Sequence, residues 1–102
     1  MRKDIWFLIV NPTSASFSRK RKWKQIVTAF KTSELPFEFQ FTEKPQHECE
    51  LVIQALTKGY RKFVSVGGDG TLHHIVNGLL QQTTVSLAEI KLGVIPLGTG
   101  ND

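Results

Sequence analysis

The strongest constraint on this 102-residue chain is a change of period that repeats along its length. Four short runs read as strands: "DIWFLIV" at 4–10, "PFEFQFT" at 36–42, "RKFVSV" at 61–66 and "IKLGVIP" at 90–96. The first is β-branched and aromatic without alternation, as a strand buried on both faces requires. In the second, Phe37, Phe39 and Phe41 alternate with Glu38 and Gln40, which suits a sheet edge with one face nearer solvent. Between the strands the apolar spacing becomes helical. Trp23, Ile26, Val27 and Phe30 stand at i, i+3, i+4 and i+7 in a helix from Phe17 to about Lys31. Cys49, Val52, Ile53 and Leu56 mark a second helix, with Pro45 in its first turn and Gly59 as a left-handed C-cap. Leu72, Ile75, Val76 and Leu79 mark a third.

Strand and helix in strict alternation, βαβαβαβ, predict an α/β fold: a parallel sheet with helices on both faces. Placing the half-exposed second strand at the edge gives strand order 2-1-3-4. Ligands of such sheets bind beyond the carboxyl ends of the strands, near the switch point between strands 1 and 3. Three unusual loops leave from carboxyl ends: "NPTSAS" at 11–16, "GGDGT" at 67–71 and "LGTGND" at 97–102. Topology alone brings them together.

Gly67, Gly68 and Gly70 remove side chains where strand 3 turns into its helix. Exposed amide N–H groups and the positive end of that helix then face one spot, which suits an anion. The competing account is a tight turn and nothing more. Asp69 would repel a phosphate unless a divalent cation sits between them; Mg²⁺ is commonly held by a carboxylate together with phosphate oxygens and water. Its alternative role is to cap the following helix. The loop lacks the Gly-Lys-Ser/Thr of a Walker A motif, and position 73 is His where a dinucleotide G-x-G-x-x-G needs Gly. His73 and His74 are adjacent and point apart on a helix, so they form no metal pair; His73 faces the loop and His74 the surface. His47 carries no evident role.

Composition narrows the partners. The longest apolar run, 5–10, is far shorter than the ~20 residues of a membrane span, and the N-terminus shows no signal-peptide pattern. A single cysteine excludes an internal disulfide and suits a cytoplasmic location. Thirteen basic against nine acidic residues give a net charge of +4, compatible with an anionic partner. The basic run "RKRKWK" at 19–24 reads first as a solvated helix face, then as a contact with an anionic membrane at its inner face, and last as a nucleic-acid site, which is not expected.

"VNPTSAS", "VGGDGTLHHIVNGL" and "LGVIPLGTGND", in this order, resemble the N-terminal nucleotide-binding lobe of the diacylglycerol kinase catalytic domain family, which includes bacterial lipid kinases, sphingosine kinases and ceramide kinases. The resemblance covers nearly the whole chain. It implies an ATP-dependent lipid kinase that transfers the γ-phosphate to a lipid hydroxyl, with Mg²⁺ as cofactor. By position, the first ATP-contacting loop falls on Asn11, Pro12, Thr13, Ser14 and Ala15, and a nucleotide-contacting threonine on Thr42. The segment that wraps the phosphates falls on Gly67, Gly68, Asp69, Gly70, Thr71, Leu72 and His73, with Asp69 near the metal, and a further contact falls on Thr99. Ala15 stands where the family has Gly, and His73 and His74 stand where it often has Asn and Glu. The family's second, β-rich domain carries the lipid site and the carboxylate that deprotonates the acceptor, so no catalytic residue is assigned. Residues 1–102 are therefore expected to be the ATP-binding lobe as an inactive fragment; an apolar surface where the second domain would dock would promote association, and whether this makes a homodimer stays open. Two alternatives stay open: an NAD kinase-like domain, and a non-catalytic module that binds anionic membranes.

Overall fold

The structure, a computed structural model, describes residues 2–12 and 17–96, with 17–20 described by backbone alone. Four strands, β1 (Trp6–Val10), β2 (Phe37–Phe41), β3 (Lys62–Gly67) and β4 (Lys91–Pro96), form one sheet in the order β2-β1-β3-β4. Every neighbouring pair is parallel. Three helices connect them: α1 (Phe17–Thr32), α2 (His47–Lys58) and α3 (Asp69–Gln81). The predicted class, the strand order and the edge position of the second strand all hold.

The period-two geometry of the central strands divides the core into two layers. Leu8, Val10, Val64 and Val66 face one side, where Trp23, Ile26 and Phe30 of α1 and Phe37 of β2 pack on them. Phe7, Ile9 and Phe63 face the other, against Leu51, Val52, Ala55 and Leu56 of α2 and Ile75 and Leu79 of α3. Burying one such side chain contributes about 1.5–3 kcal/mol. The two helices on this second side meet closely at Gly78, where a Cβ would come within 2.6 Å of Val52 Cγ1 and 3.0 Å of the Cys49 carbonyl.

Several boundaries differ from the sequence reading. β1 begins at Trp6 because Arg2–Asp4 form a 3-10 turn closed by Ile5 N–H on the Arg2 carbonyl at 3.1 Å. The second helix begins at His47, since Gln46 adopts a left-handed φ of 61° and leaves Pro45 in the preceding turn. Its buried stripe is Leu51, Val52, Ala55 and Leu56. Cys49 and Ile53 are only partly covered, because α2 must face both β1 and α3 and is rotated accordingly.

Gly59 does end α2, at φ 108°, a conformation side chains disfavour. Its N–H donates to Leu56 O and the Tyr60 N–H to Ala55 O, both at 3.1 Å, a Schellman closure. That turn delivers Tyr60 into the core beside Phe7, ring centroids 4.9 Å apart, with its hydroxyl donating to Glu38 of β2. Burial, the bond to Glu38 and that residue's negative charge push the Tyr60 phenol up, opposed by Arg2. The linked stability is therefore complete below pH 10 and lost as pH rises through the raised native value. Tyr60 is the chain's one tyrosine, so absorbance at 295 nm follows it alone. The expected midpoint lies above 10 in the native protein and falls in Glu38→Gln; a native midpoint at or below 10 would contradict this account.

Candidate functional site

Parallel pairing puts the carboxyl ends of β1, β2 and β3 side by side. Asn11 continues β1, its N–H donating to Val66 O at 2.9 Å, and Thr42 continues β2, its N–H donating to Val10 O at 2.8 Å. Above these ends lies a cleft of about 570 Å³, lined among others by Asn11, Pro12, Thr42, Glu48, Gly70 and His74. Asn11 and Pro12 after β1 and Gly70 after β3 thus meet at the expected place. They are joined by Thr42 after β2, which is not among the three loops expected there; the third of those loops, 97–102, lies outside the described residues.

The glycine loop has a definite shape. Gly67 ends β3, Gly68 is the extended N-cap of α3 and Asp69 is its first residue. The cap position belongs to Gly68, so Asp69 does not cap the helix; its exposed carboxylate sits on the first turn. The first bond of the helix runs from Leu72 N–H to Gly68 O at 3.3 Å. The amides of Asp69, Gly70 and Thr71 precede it and carry the helix's positive end.

None of the three glycines has a positive φ, so a left-handed turn does not account for them. Gly67 is there for packing: a Cβ would lie 2.5 Å from Thr71 Oγ1 and 3.3 Å from Asn11 Cβ. Gly68 and Gly70 are different. Among the described residues, a Cβ on either would meet nothing within 4 Å. Both are exposed, and Gly70 also lines the cleft, with no steric demand from the described residues.

Of the remaining sequence-predicted residues, Thr71 is buried beneath the loop and Leu72 is half-buried. His73 and His74 exchange the roles expected of them. His73 is exposed and bonded to Asn77 at 3.1 Å, whereas His74, one turn beyond Gly70, lines the cleft. Thr13, Ser14, Ala15 and Thr99 lie outside the described residues.

The sequence reading missed Glu48 and misjudged His47. Both are buried, at 2% and 6% exposure, in the first turn of α2. His47 Nδ1 accepts the Glu43 N–H at 3.0 Å and so fixes the loop from β2. Glu48 Oε2 accepts Asn11 Nδ2 at 3.2 Å, tying that loop to the one after β1. No motif marks either residue. The available signal was position alone, a His-Glu pair opening a helix at the carboxyl end of an edge strand.

The diacylglycerol kinase catalytic domain model matches residues 5–102. A candidate lipid kinase of Bacillus subtilis (strain 168) is 34% identical over 100 residues, 95% of this chain and 31% of that protein. Sphingosine kinase B of Dictyostelium discoideum is 32% identical over 95 residues, 92% of this chain and 12% of that one. A solved structure of a candidate diacylglycerol kinase from Bacillus anthracis str. Sterne shares the fold, with a TM-score of 0.76 at 22% identity over 97% of this chain and 32% of its own. The chain therefore spans a third or less of the length of each.

The glycines make separable predictions. Gly67→Ala should destabilise by about 1–3 kcal/mol, because buried Thr71 cannot yield. Gly68→Ala, at the N-cap, should cost less than about 1 kcal/mol, and Gly70→Ala, inside the helix, should gain up to about 1 kcal/mol. Urea unfolding midpoints decide this, and equal losses at Gly67 and Gly68 would refute it.

Proposed function

Because this chain belongs to the diacylglycerol kinase catalytic domain family, we propose that residues 1–102 form the nucleotide-binding lobe of an ATP-dependent lipid kinase. The observation that carries this reading is the bare backbone at Gly68 and Gly70 on the positive end of α3, beside the cleft. A polyphosphate laid there meets amides with no intrahelical partner, and each such bond to a charged oxygen contributes on the order of 1.5–3 kcal/mol. Asn11 to Ala15, Thr42, Gly67 to Leu72 and Thr99 are the proposed nucleotide contacts, without His73, which lies off the cleft. His74 joins them on its position in the cleft.

A divalent cation fits as a companion of the nucleotide. No cluster of three metal-ligating side chains occurs among the described residues. Asp69 alone, exposed at the mouth of the phosphate loop, can contribute one carboxylate to an ion whose other ligands are phosphate oxygens and water. Mg²⁺ would neutralise charge on the phosphates. The chain's own part is to hold the triphosphate in place, which is most of what phosphoryl transfer asks of a protein. The acceptor is proposed to be a lipid hydroxyl, as the relatives' names suggest, bound by regions that the match does not cover. Residues 1–102 by themselves should then bind ATP without transferring its phosphate.

Calorimetry with Mg·ATP tests the reading. Saturable, Mg²⁺-dependent binding is expected, weakened about tenfold in Asp69→Ala and weakened in Gly70→Ala with no loss of stability. Tighter binding of NAD than of ATP would overturn it.

One observation favours contact with a membrane surface as well. α1 carries Arg21, Lys22, Lys24 and Lys31 and no acidic residue. Beside it, Phe39 and Phe41 stay 45% and 38% exposed around Trp23. Among the described residues no helix is long and apolar enough to cross a membrane, so the contact would be peripheral. Co-sedimentation with phosphatidylglycerol vesicles at low salt, lost at about 0.5 M salt, is the expected result; equal binding to phosphatidylcholine vesicles would count against it.

A further inference from the structure

We propose that Glu48 reads the sugar of the bound nucleotide, its carboxylate accepting a hydrogen bond from a ribose hydroxyl; this rests on the nucleotide-binding reading above. Glu48 is 2% exposed and lines the cleft. One carboxylate oxygen takes the Asn11 amide at 3.2 Å, and the other, Oε1, is buried without a hydrogen-bond partner among the described residues. An unpaired buried acceptor on an acidic group is costly, so such groups are usually matched by a donor.

The nearby cations do not fill that role. Lys44 Nζ lies 3.2 Å from Glu50, and His47 Nε2 lies 3.7 Å from the same residue. The missing donor is therefore sought in the ligand, and position says which part of it. Asn11, the residue Glu48 holds, is also the neighbour of the phosphate loop, its Cβ 3.3 Å from where a Cβ on Gly67 would lie. Glu48 is thus one side chain away from the phosphate loop. A carboxylate there repels phosphate, whereas the next group along a nucleotide is ribose, a neutral sugar whose hydroxyls donate. Acidic side chains accept from ribose hydroxyls elsewhere for the same reason. The last torsion of a glutamate is soft, so the carboxylate can turn toward the cleft.

Calorimetric titration of Mg·ATP, Mg·2′-deoxy-ATP and Mg·2′,3′-dideoxy-ATP into the wild-type chain, Glu48→Gln and Glu48→Ala tests the assignment. The wild type should bind ATP about tenfold more tightly than the dideoxy analogue. Both variants should bind ATP no better than the wild type binds the analogue, and should leave affinity for the analogue unchanged. Wild-type binding of ATP without sugar preference would overturn the assignment and leave the nucleotide-binding reading intact. Variants that weaken every nucleotide equally would also overturn it, making Glu48 a support for Asn11. Absence of any ATP binding by the wild type would remove both. The wild-type sugar preference does not depend on how well either variant folds, and thermal melts establish that separately.

Discussion

Everything in this fold depends on β1 and β3 lying side by side, parallel, with both faces buried. Leu8, Ile9, Phe63 and Val66 are almost wholly removed from solvent, which is possible only if helices cover the sheet above and below. Parallel pairing forbids short hairpins, so each strand must return through a helix. It also sends the chain out of β1, β2 and β3 at the same end. The cleft is a consequence of that arrangement, and residues far apart in sequence, Asn11, Thr42 and Gly70, line one wall system because of it.

Glycine serves three unrelated purposes within this small core. Gly59 permits a left-handed turn that ends α2. Gly67 and Gly78 permit close approach, of β3 to Thr71 and of α3 to α2. Gly68 and Gly70 do neither, since their backbone is ordinary and the space around them is open among the described residues. Glycine costs conformational entropy in a helix relative to alanine, about 0.5–1 kcal/mol. Gly70, inside α3, bears this cost with no contact among the described residues to offset it, whereas Gly68 stands at the N-cap, where glycine is well tolerated.

The period of the sequence made the fold legible because each strand's burial is written into its composition. "IWFLIV" could only be a central strand, and Phe37, Phe39 and Phe41 could only share one face of an edge. Helix ends were less legible. The left-handed Gln46 that delays α2 has a side chain, and nothing in "EKPQHE" distinguishes that turn from a helical start at Pro45. The site was legible where it is made of backbone, because glycine announces itself. It was not legible where it is made of tertiary pairing. Glu48 looks like any acidic residue in a first helical turn, and its burial follows from the loop after β1 coming across to meet it. His73 and His74 were exchanged for a similar reason: which of two adjacent helical residues faces the cleft depends on how α3 is rotated over β3.

The two edges of the sheet are protected differently, and the difference bears on how far this core stands alone. β2 is an edge whose apolar residues are only partly engaged: Phe39 and Phe41 meet Trp23 edge-on at 5.0 and 5.6 Å yet stay exposed, and Glu38 on the opposite face holds Tyr60. β4 pairs only with β3 among the described strands. Leu92 and Val94, in register with Phe63 and Ser65, therefore point to the side of α2 and α3, yet remain 36% and 53% exposed. The contacts of α3 with the sheet fall mainly on β3, leaving little cover above β4 among the described residues. An apolar edge of this kind invites pairing or aggregation unless something covers it. The solved relative shares this fold over only 32% of its own chain, so in proteins of that length further structure is available to lie against such an edge. The buried pair β1 and β3 sets the architecture and the cleft; both edges leave apolar surface to spare, β2 on the side of α1 and β4 on the side of α2 and α3.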